Sequence, residues 1–351
     1  MVKKHILAVD MMGGDYAPKE IINGILLARD KYNNLFFNCY GDQKQILSII
    51  GGRSKKNLKI INTTETIEMG EEPVRAIRKK KDSSLVRAAN SVKNGESDAL
   101  FSAGNTGALL VCGIFIIGRL KGIQRPGLLT TLPSVKKRNR DWVLMDVGAN
   151  AEVKPSYLYQ FGVIGNFYAK NILNRNNPEI KLLNNGIEED KGDKTHIKAH
   201  QLLKKSELLN FTGNIESRYL LEGKTDVVVS DGFSGNTALK AIEGTALSLF
   251  SGLKETLSNS GVFTKVGALL VKPAIKNFSN ILNYNKYGGA LIAGLNAPVV
   301  KTHGSAKALA VSNTVEQIKK ILENNLIGKI REYIKRNPNE FIKGDKNNEK
   351  K

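Results

Sequence analysis

The tripeptide Gly-Asn-Thr occurs twice in the chain, at 104–106 and 235–237. Each copy follows a short apolar run and precedes a helical pattern, in the segments FSAGNTGALL and DGFSGNTALK. Glycine lets the backbone approach a ligand, asparagine supplies a neutral donor and acceptor, and Thr or Ser can cap the following helix. Because helix N-termini attract anions, the two turns predict oxyanion binding, although the same tripeptide also serves as a plain helix cap.

Four other loops have a similar composition: VDMMGGD at 9–15, DVGANAE at 146–152, NNG at 184–186 and HGSA at 303–306. All six are expected at the carboxyl ends of strands, where open parallel sheets bind their ligands. The sequence therefore predicts one anion site at a single edge of the sheet. The candidate binding residues are Asp10, Gly13, Gly14, Asp15, Ser102, Gly104, Asn105, Thr106, Asn150, Asn185, Asp231, Gly232, Ser234, Gly235 and His303.

Several well-known catalytic motifs are absent from the sequence. It has no GxxxxGK[ST] loop, no GxSxG nucleophile elbow, no HExxH and no clean GxGxxG after the first strand. Among the four histidines, only His303 is expected in a site. His5 precedes the first strand, and His196 and His200 are predicted to lie on the surface of a polar helix.

Neither cysteine is expected to act as a nucleophile, because Cys39 is predicted in a strand core and Cys112 in an apolar helix. Their positions also argue against a disulfide framework or a zinc site. Without a side-chain nucleophile, the substrate is expected to bring one, and inorganic phosphate is such a group. Asn or Lys donors would then stabilise the oxyanion that forms when phosphate attacks an acyl carbonyl.

Short apolar runs alternate with longer amphipathic runs, which predicts a three-layer α/β/α sandwich around a mostly parallel sheet. The predicted strands are 6–9, 36–40, 58–61, 99–102, 128–132, 143–146, 180–183, 227–230 and 298–301. The predicted helices are 18–30, 83–93, 106–118, 155–173, 194–209 and 237–257. No Pro/Gly/Ser-rich linker divides the chain, so residues 1–335 are expected to form a single domain and the charged segment 336–351 a disordered tail.

The segment 244–287 predicts a helical hairpin with a turn near 259–261. One interpretation is an ordinary packed hairpin. The other is an exposed apolar tip suited to a membrane interface or a partner helix. The tip would consist of Val262, Phe263, Leu269 and Leu270, surrounded by Lys254, Lys265, Lys272 and Lys276.

The 351-residue chain carries a formal net charge of +20. Such a charge favours nucleic acid, an anionic membrane surface or acidic partners, but the lysines are spread along the chain and a compositional bias would explain it equally well. The first apolar run is too short for a signal peptide, and no run reaches the ~18 residues of a membrane span. A cytoplasmic protein is therefore expected.

Nine segments, in the expected order, closely resemble the PlsX family of bacterial phosphate acyltransferases. They are AVDMMGGD (8–15), KKKDSSLV (79–86), SAGNTGAL (102–109), MDVGANAEVKP (145–155), LLNNG (182–186), TDVVVSDGFSGN (225–236), ALKAIEG (238–244), YGGALIAGLN (287–296) and KTHGSA (301–306). The resemblance implies that acyl-[acyl carrier protein] and inorganic phosphate react to give acyl phosphate and free carrier protein, for phospholipid synthesis.

The same resemblance implies a fold similar to phosphotransacetylase and to the isocitrate and isopropylmalate dehydrogenases. It further implies a homodimer, peripheral contact with the inner face of an anionic membrane, and a downstream glycerol-3-phosphate acyltransferase that uses the acyl phosphate. No metal, organic cofactor or nucleic acid is expected.

Carried onto this sequence, the resemblance assigns the catalytic roles to Lys191 and Asn236. Lys191 would hold phosphate or the oxyanion by its charge, and Asn236 would donate a hydrogen bond to the same developing charge. The loop around Lys191 departs from the family pattern, because Ile187 and Asp190 stand where Glu and Gly are usual.

Two alternatives are weighed against this function. A metal- and NAD-dependent dehydrogenase of the related fold would need an Arg cluster for substrate carboxylates and Asp residues for the metal, and the sequence has no evident cluster of this kind. A non-enzymatic nucleic-acid- or membrane-binding protein, driven by charge alone, would give no reason for the repeated Gly-Asn-Thr turns.

Overall fold

A single 11-stranded sheet forms the centre of the computed structural model, which describes residues 3–136, 140–281 and 288–342. The strands are β1 (His5–Asp10), β2 (Leu35–Gly41), β3 (Leu58–Asn62), β4 (Ala99–Ser102), β5 (Gly127–Leu132), β6 (Trp142–Met145), β7 (Glu179–Leu183), β8 (Asn210–Ile215), β9 (Val227–Val229), β10 (Ala290–Ala293) and β11 (Val299–Lys301). The α-helices are α1 (Lys19–Lys31), α2 (Gln43–Ile50), α3 (Pro73–Lys79), α4 (Ser84–Lys93), α5 (Thr106–Cys112), α6 (Pro155–Ile172), α7 (Lys194–Lys204), α8 (Gly232–Asn259), α9 (Val262–Ile281), α10 (Ala308–Glu323), α11 (Leu326–Arg336) and α12 (Pro338–Ile342). A π-helical segment, Gly113–Ile117, continues α5, and a 3₁₀ helix covers Ser217–Glu222.

The sheet consists of two parallel blocks that run in opposite directions. The strand order is β3-β2-β1-β4-β11-β10-β5-β6-β9-β7-β8. Pairing is parallel from β3 to β11 and again from β6 to β8. The three intervening pairs, β11/β10, β10/β5 and β5/β6, are antiparallel. Three successive reversals place the carboxyl ends of β1, β4 and β11 at one end of the sheet and those of β6, β9 and β7 at the other.

The prediction that all six Gly-rich loops share one edge of the sheet is therefore wrong. The reversal involves β10, a short strand that the sequence analysis missed, and β5, whose apolar composition does not reveal its direction. Buried strands carry apolar residues at successive positions whether they pair in a parallel or an antiparallel manner. The prediction of a mostly parallel sheet in an α/β fold is confirmed.

Apolar layers cover both faces of the sheet. Along β1, Leu7 and Val9 belong to one buried cluster while Ala8 belongs to the other, because successive side chains of a strand point to opposite faces. Residues of α1, α6 and α10 fill the first layer, and residues of α4 and α5 fill the second. The fully buried Trp142 lies in the second layer and donates its indole N–H to the Pro133 carbonyl oxygen at 3.1 Å. The three-layer sandwich is confirmed.

Helices α8 and α9 form the predicted helical hairpin, with a turn at Ser260 and Gly261. The two helices pack on each other, as the 5.9 Å between the ring centroids of Phe250 and Phe278 shows. Large exposed apolar side chains continue along both helices: Leu247, Leu249, Leu253, Val262, Phe263, Val266, Leu269, Leu270, Val271 and Phe278. The last predicted residues of this segment, 282–287, lie outside the described residues.

Among the described helices, none combines the length and the apolar composition that crossing a bilayer requires.

The charged C-terminal segment begins with ordered structure. The sequence predicts a disordered tail from residue 336, but α12 covers Pro338–Ile342 and the side chain of Phe341 is buried. The Phe341 ring packs edge-on against Tyr159 and Tyr333, with centroids 6.4 and 6.1 Å away. The buried Phe341 therefore anchors this helix within a mostly polar segment. The remainder of the predicted tail lies outside the described residues.

Candidate active site

A buried aspartate, Asp146, organises the loop that follows β6. Its carboxylate accepts hydrogen bonds from the backbone N–H of Leu128 at 2.9 Å and from the N–H groups of residues 148–150 at 2.9–3.0 Å. The Asn150 side chain also donates to this carboxylate, at 2.8 Å, and to the Pro126 carbonyl oxygen, at 2.7 Å. These two hydrogen bonds occupy the amide of Asn150, a predicted ligand-binding group, within the protein. Burial raises the pKa of Asp146.

The first turn of α8 packs tightly on this loop at two glycines. A Cβ on Gly232 would lie 2.7 Å from the Asn150 carbonyl oxygen, and a Cβ on Gly235 would overlap the carbonyl oxygen of Asp146. The Gly232 N–H donates to the same Asn150 oxygen at 2.7 Å. Close backbone approach is thus the local reason for both glycines of DGFSGN.

Asn236 follows Gly235 and is partly buried. Its side-chain amide lies beside Gly148, where an added Cβ would be 3.5 Å from Asn236 Nδ2 and where φ is +133°. Within the described ranges, the Asn236 amide has no hydrogen-bond partner in the protein. The first turn of α8 therefore presents a partly buried neutral donor close to the positive end of the helix dipole.

Lys191 belongs to the loop between β7 and α7. The side chain of Asn184 shapes this loop, since its Nδ2 donates to the Lys191 carbonyl oxygen at 3.0 Å and its Oδ1 accepts from the Asn185 N–H at 2.9 Å. The Lys191 side chain passes over Gly186, where a Cβ would lie 2.7 Å from Lys191 Cγ. Lys191 is exposed, and its ammonium group has no ion-pair partner among the described residues.

His196, in the first turn of α7, joins the Lys191 loop to the start of α8. Its Nδ1 lies 2.9 Å from Asp193 Oδ1 and its Nε2 lies 3.5 Å from Asp231 Oδ2. Asp193 caps α7 through the His196 N–H, and Asp231 caps α8 through the Ser234 N–H, both at 2.8 Å. Hydrogen bonding to Asp231 is the main cause that raises the pKa of His196 above its ordinary value.

The prediction that both histidines of α7 lie on the surface is wrong. The His196 side chain is only 15% exposed, and His200 is buried with its Nδ1 2.9 Å from Asn214 Oδ1. The ring of His200 also packs edge-on against Phe211, with centroids 5.0 Å apart. Residues 196, 200 and 203 lie at i, i+4 and i+7, and this spacing is a sequence signal that could have placed both histidines on the inner face.

An open groove of about 840 Å³ begins at these loops and continues along α8. Asn185, Asp193, His196 and Ser234 line its polar end. The remaining lining is mostly apolar and includes Leu220, Leu221, Phe233, Ala238, Ile242 and Leu249. Its size falls within the usual ~300–1,000 Å³ of ligand pockets, and its lining suits a long apolar group attached to a polar head.

The loops after β1 and β4 form a second cluster. Asp10 is fully buried, and its carboxylate accepts from the hydroxyls of Ser84 at 2.6 Å and Ser102 at 2.7 Å. A Cβ on Gly13 would lie 2.5 Å from Asp10 Oδ2 and 2.7 Å from the Gly104 nitrogen. Burial raises the pKa of Asp10. These predicted binding residues are locked together inside the protein.

The first Gly-Asn-Thr turn uses its asparagine as a structural clamp. Asn105 Oδ1 accepts from the Ala108 N–H at 3.0 Å, which caps α5. Asn105 Nδ2 donates to the carbonyl oxygens of Glu68, Met69 and Glu71 at 3.3, 2.9 and 3.0 Å. For this copy of the tripeptide, the helix-cap interpretation is the one that the geometry supports.

Four predicted binding residues lie toward the outside of the second cluster: Gly14, Asp15, Thr106 and His303. The Asp15 N–H donates to the Gly304 carbonyl oxygen at 2.9 Å, which joins the loop after β1 to the loop after β11. His303 Nδ1 lies 2.7 Å from Ser305 Oγ. Of these four, Asp15, Thr106 and His303 present polar side chains at the surface of this cluster.

Lys301 is a buried cation that the sequence analysis did not single out. Its Nζ donates to the carbonyl oxygens of Ala103, at 3.2 Å, and Thr302. Burial lowers the pKa of Lys301 to about 8, against the opposing influence of Asp15 and Asp10. Lys301 therefore belongs to the internal structure of the second cluster.

Four strands, β11, β10, β5 and β6, separate β4 from β9 in the sheet. At about 4.8 Å per strand, the ends of β4 and β9 are roughly 24 Å apart across the sheet, and they point in opposite directions. The groove along α8 is lined by residues of the loops after β7 and β9 and includes none from the second cluster. The two Gly-Asn-Thr turns of one chain therefore do not meet at one ligand, whereas the loops after β6, β9 and β7 do lie together.

Residues 5–329 match the model of a family described as "Fatty acid synthesis protein". The chain belongs to this family. A protein of Oenococcus oeni named phosphate acyltransferase is 66% identical to it over 97% of this chain and 98% of that one. Another phosphate acyltransferase, from Leuconostoc mesenteroides, is 57% identical over 93% of this chain and 95% of that one. The resemblance to the PlsX family is confirmed, and this family member is an acyltransferase.

Two solved structures share the fold of this family member. A phosphotransacetylase from Streptococcus pyogenes superposes with a TM-score of 0.58 at 16% identity, over 93% of this chain and 95% of that one. The EutD phosphotransacetylase from Staphylococcus aureus gives a TM-score of 0.57 at 14% identity, over 91% and 94% of the two chains. The predicted likeness to the phosphotransacetylase fold is confirmed. The dehydrogenase alternative is not favoured by the family or by these relatives.

Proposed function

We propose that this acyltransferase makes acyl phosphate from acyl-[acyl carrier protein] and inorganic phosphate for phospholipid synthesis. The observation that carries the proposal is the joining of the Lys191 loop and the Asn236 turn, through His196, at the polar end of a largely apolar groove. The relatives named phosphate acyltransferases, which match nearly the whole chain, support the same reaction.

Inorganic phosphate would bind where the Lys191 loop faces the first turn of α8. The Lys191 ammonium group supplies a mobile positive charge, and the helix end supplies a fixed partial one. Asn185 and Ser234 offer neutral hydrogen-bonding groups at the polar end of the groove. The nearby carboxylates of Asp193 and Asp231 are paired with His196, which reduces their repulsion of an anion.

The reaction would proceed by direct attack of phosphate on the thioester. A phosphate oxygen forms a bond to the acyl carbon, and the carbonyl oxygen becomes an oxyanion. The side-chain N–H of Asn236 donates to that oxyanion, and Lys191 stabilises the charge at longer range. Collapse of the intermediate breaks the C–S bond; the proton of hydrogen phosphate passes to the leaving thiolate, which gives acyl phosphate and the free thiol.

The acyl chain would occupy the apolar part of the groove. Its lining by Phe233, Ile242 and Leu249 continues for several turns of α8 away from the polar end. An extended acyl chain buried there would lose most of its contact with water, a gain of about 0.8 kcal/mol per buried methylene group. The thioester would then lie at the polar end, next to the phosphate.

An acidic carrier protein fits the charge of the chain. The net charge of +20 would speed its encounter with an acidic partner and make that encounter sensitive to salt. Near the groove, the exposed Arg218 pairs with Glu216, while Lys136 and Lys224 both pair with Glu222, so these five groups leave one positive charge in excess. We place the carrier protein on this side of the groove.

The hairpin of α8 and α9 would serve two contacts. Val262 and Phe263 at its tip are 75% and 94% exposed and are flanked by lysines, a composition that suits the cytoplasmic face of an anionic membrane. The exposed Leu247, nearer its base and outside the groove lining, suits the same hairpin of a second copy in a homodimer. The acyl phosphate would be consumed by a glycerol-3-phosphate acyltransferase at that membrane.

A thiol-release assay tests the reaction. Acyl carrier protein loaded with a defined acyl chain is mixed with the enzyme with and without phosphate, and the freed thiol is titrated. We expect release that depends on phosphate and does not respond to a nicotinamide cofactor. Replacing Lys191 by Gln should raise the KM for phosphate or lower kcat, whereas Lys205→Gln, an exposed lysine at the end of α7, should behave as wild type. Phosphate-independent release would refute the proposal.

A further inference from the structure

The imidazole of His196 contacts the N-cap residues of two different helices. Nδ1 lies 2.9 Å from Asp193, which caps α7, and Nε2 lies 3.5 Å from Asp231, which caps α8. The ring is 15% exposed and the Asp231 side chain 9%, so this contact is largely shielded from water. One side chain therefore ties the loop that carries Lys191 to the turn that carries Asn236.

The protonated form of the ring suits these two contacts best. An imidazolium donates from both nitrogens, whereas a neutral imidazole has one donor and leaves one carboxylate facing a lone pair. Hydrogen bonding to Asp231 and then to Asp193 raises the pKa of His196, against the effect of burial. Among the described residues that line the groove, the remaining charged group is Arg218, and His200, one turn further along α7, is engaged by Asn214.

We propose that His196, as an imidazolium, is a positioning residue that fixes the Asn236 turn against the Lys191 loop for the acyl-transfer reaction. The Asn236 side chain makes no hydrogen bond within the described ranges, and Lys191 lies on an exposed loop, so neither side chain holds this alignment by itself. His196 holds the two segments in this alignment, because it contacts the capping carboxylates of both helices. The inference rests on the proposed function and adds a third residue to its machinery.

The central variant is His196→Gln, whose neutral amide reaches one carboxylate and carries no charge. We expect kcat for phosphate-dependent thiol release to fall about 10- to 100-fold near pH 6, since a small misplacement of reacting groups can cost this much. Lys198→Gln is the matched control, because it removes one positive charge from an exposed position on the same helix. It should keep the wild-type rate.

The pH dependence of kcat distinguishes a positioning role of the His196 charge from a role of its side chain in packing alone. In the wild type, kcat should decline as the pH rises through the raised pKa of His196, and in His196→Gln this decline should disappear. Asp231→Asn keeps a side chain that caps helices well but removes the partner charge. The double variant His196→Gln/Asp231→Asn should lose little more than the worse single variant. Identical pH profiles in wild type and His196→Gln, or fully additive losses, would overturn the inference.

Hydrogen exchange keeps this test separate from that of the reaction itself. In His196→Gln, the backbone amides of residues 184–193 and 232–236 should exchange faster than in the wild type, while those of the β1 and β4 loops should not change. Wild-type exchange in both segments would overturn the inference even if the reaction is as proposed. Conversely, faster exchange in an enzyme that releases no thiol with phosphate would support the bridge and refute only the proposed reaction.

Discussion

Gly235 sits so close to Asp146 that a Cβ at this position would overlap the carbonyl oxygen of the aspartate. This contact lets the first turn of α8 rest directly on the loop after β6, which brings Asn236 beside Gly148. A glycine one residue before the proposed oxyanion donor is therefore needed for the position of that donor.

Gly235→Ala should lower both stability and activity. The methyl group must push the helix away from a backbone carbonyl, and overpacking of this kind costs about 1–3 kcal/mol of unfolding free energy. Urea denaturation gives the change in stability. Gly244→Ala lies in the same helix, where the new Cβ would meet no atom within 4 Å apart from the backbone of its own helical turns, so it should stabilise by about 0.5–1 kcal/mol instead. Equal effects of the two substitutions would contradict the packing argument.

Asn236→Ala should separate activity from stability. The amide makes no hydrogen bond to the protein within the described ranges, so the melting temperature should stay within about 1–2 °C of wild type. Turnover should fall about 100-fold if the amide is a principal oxyanion donor. Lys240→Ala, an exposed position four residues further along α8, is the control. Full turnover in Asn236→Ala would place the oxyanion donor elsewhere.

Replacing Val262 and Phe263 by Asp should weaken binding to vesicles that contain anionic lipid, measured by co-sedimentation. The substitutions remove apolar side chains that would enter the interface and add two negative charges. The matched control is the pair Leu27→Asp and Leu309→Asp, which changes the net charge equally at exposed leucines of α1 and α10. Thiol release in solution should be retained in both proteins. If both pairs reduce vesicle binding equally, charge rather than the tip governs attachment.

The contribution of His196 to stability should decrease with rising pH. Its pKa is raised in the folded protein, so the folded state binds the proton more tightly than the unfolded state does. The resulting stabilisation is fully present below the ordinary pKa of about 6.5 and is lost as the pH rises through the folded pKa. The difference in unfolding free energy between wild type and His196→Gln should therefore be larger at pH 5.5 than at pH 9. A constant difference would show that the ring does not titrate with folding.

The sequence predicted much of the sheet because buried strands are short apolar runs between turn residues. β4 agrees with its predicted bounds, and the ends of the other predicted strands lie within one residue of the observed ones. Of the two missed strands, β8 lacks this pattern, because it reads NFTGNI, with polar residues and a glycine. β10 has the pattern, since its four residues ALIA stand between glycines, but it was not recognised as a strand. The order and direction of the strands in the sheet depend on pairing between distant segments, which the composition of each strand does not encode.

The candidate site was predicted in part. The loops after β6, β7 and β9 do meet, because those strands are neighbours and run in the same direction. The loops after β1 and β4 do not join them, since the pairings of β10 and β5 reverse the sheet. The bridging role of His196 was missed, because its two partners lie on different loops whose proximity follows only from the fold.

Helix α8 is continuous from Gly232 to Asn259, so it links the proposed reaction centre to the hairpin turn as one rod. Between residues 236 and 259 it rises about 35 Å, at 1.5 Å per residue. If the proposed membrane contact is made at the turn, the bilayer would thus lie at a set distance from Asn236, the proposed oxyanion donor. That clearance is comparable to the diameter of a small globular protein, so a carrier could approach the groove from the side while the enzyme stays on the lipid.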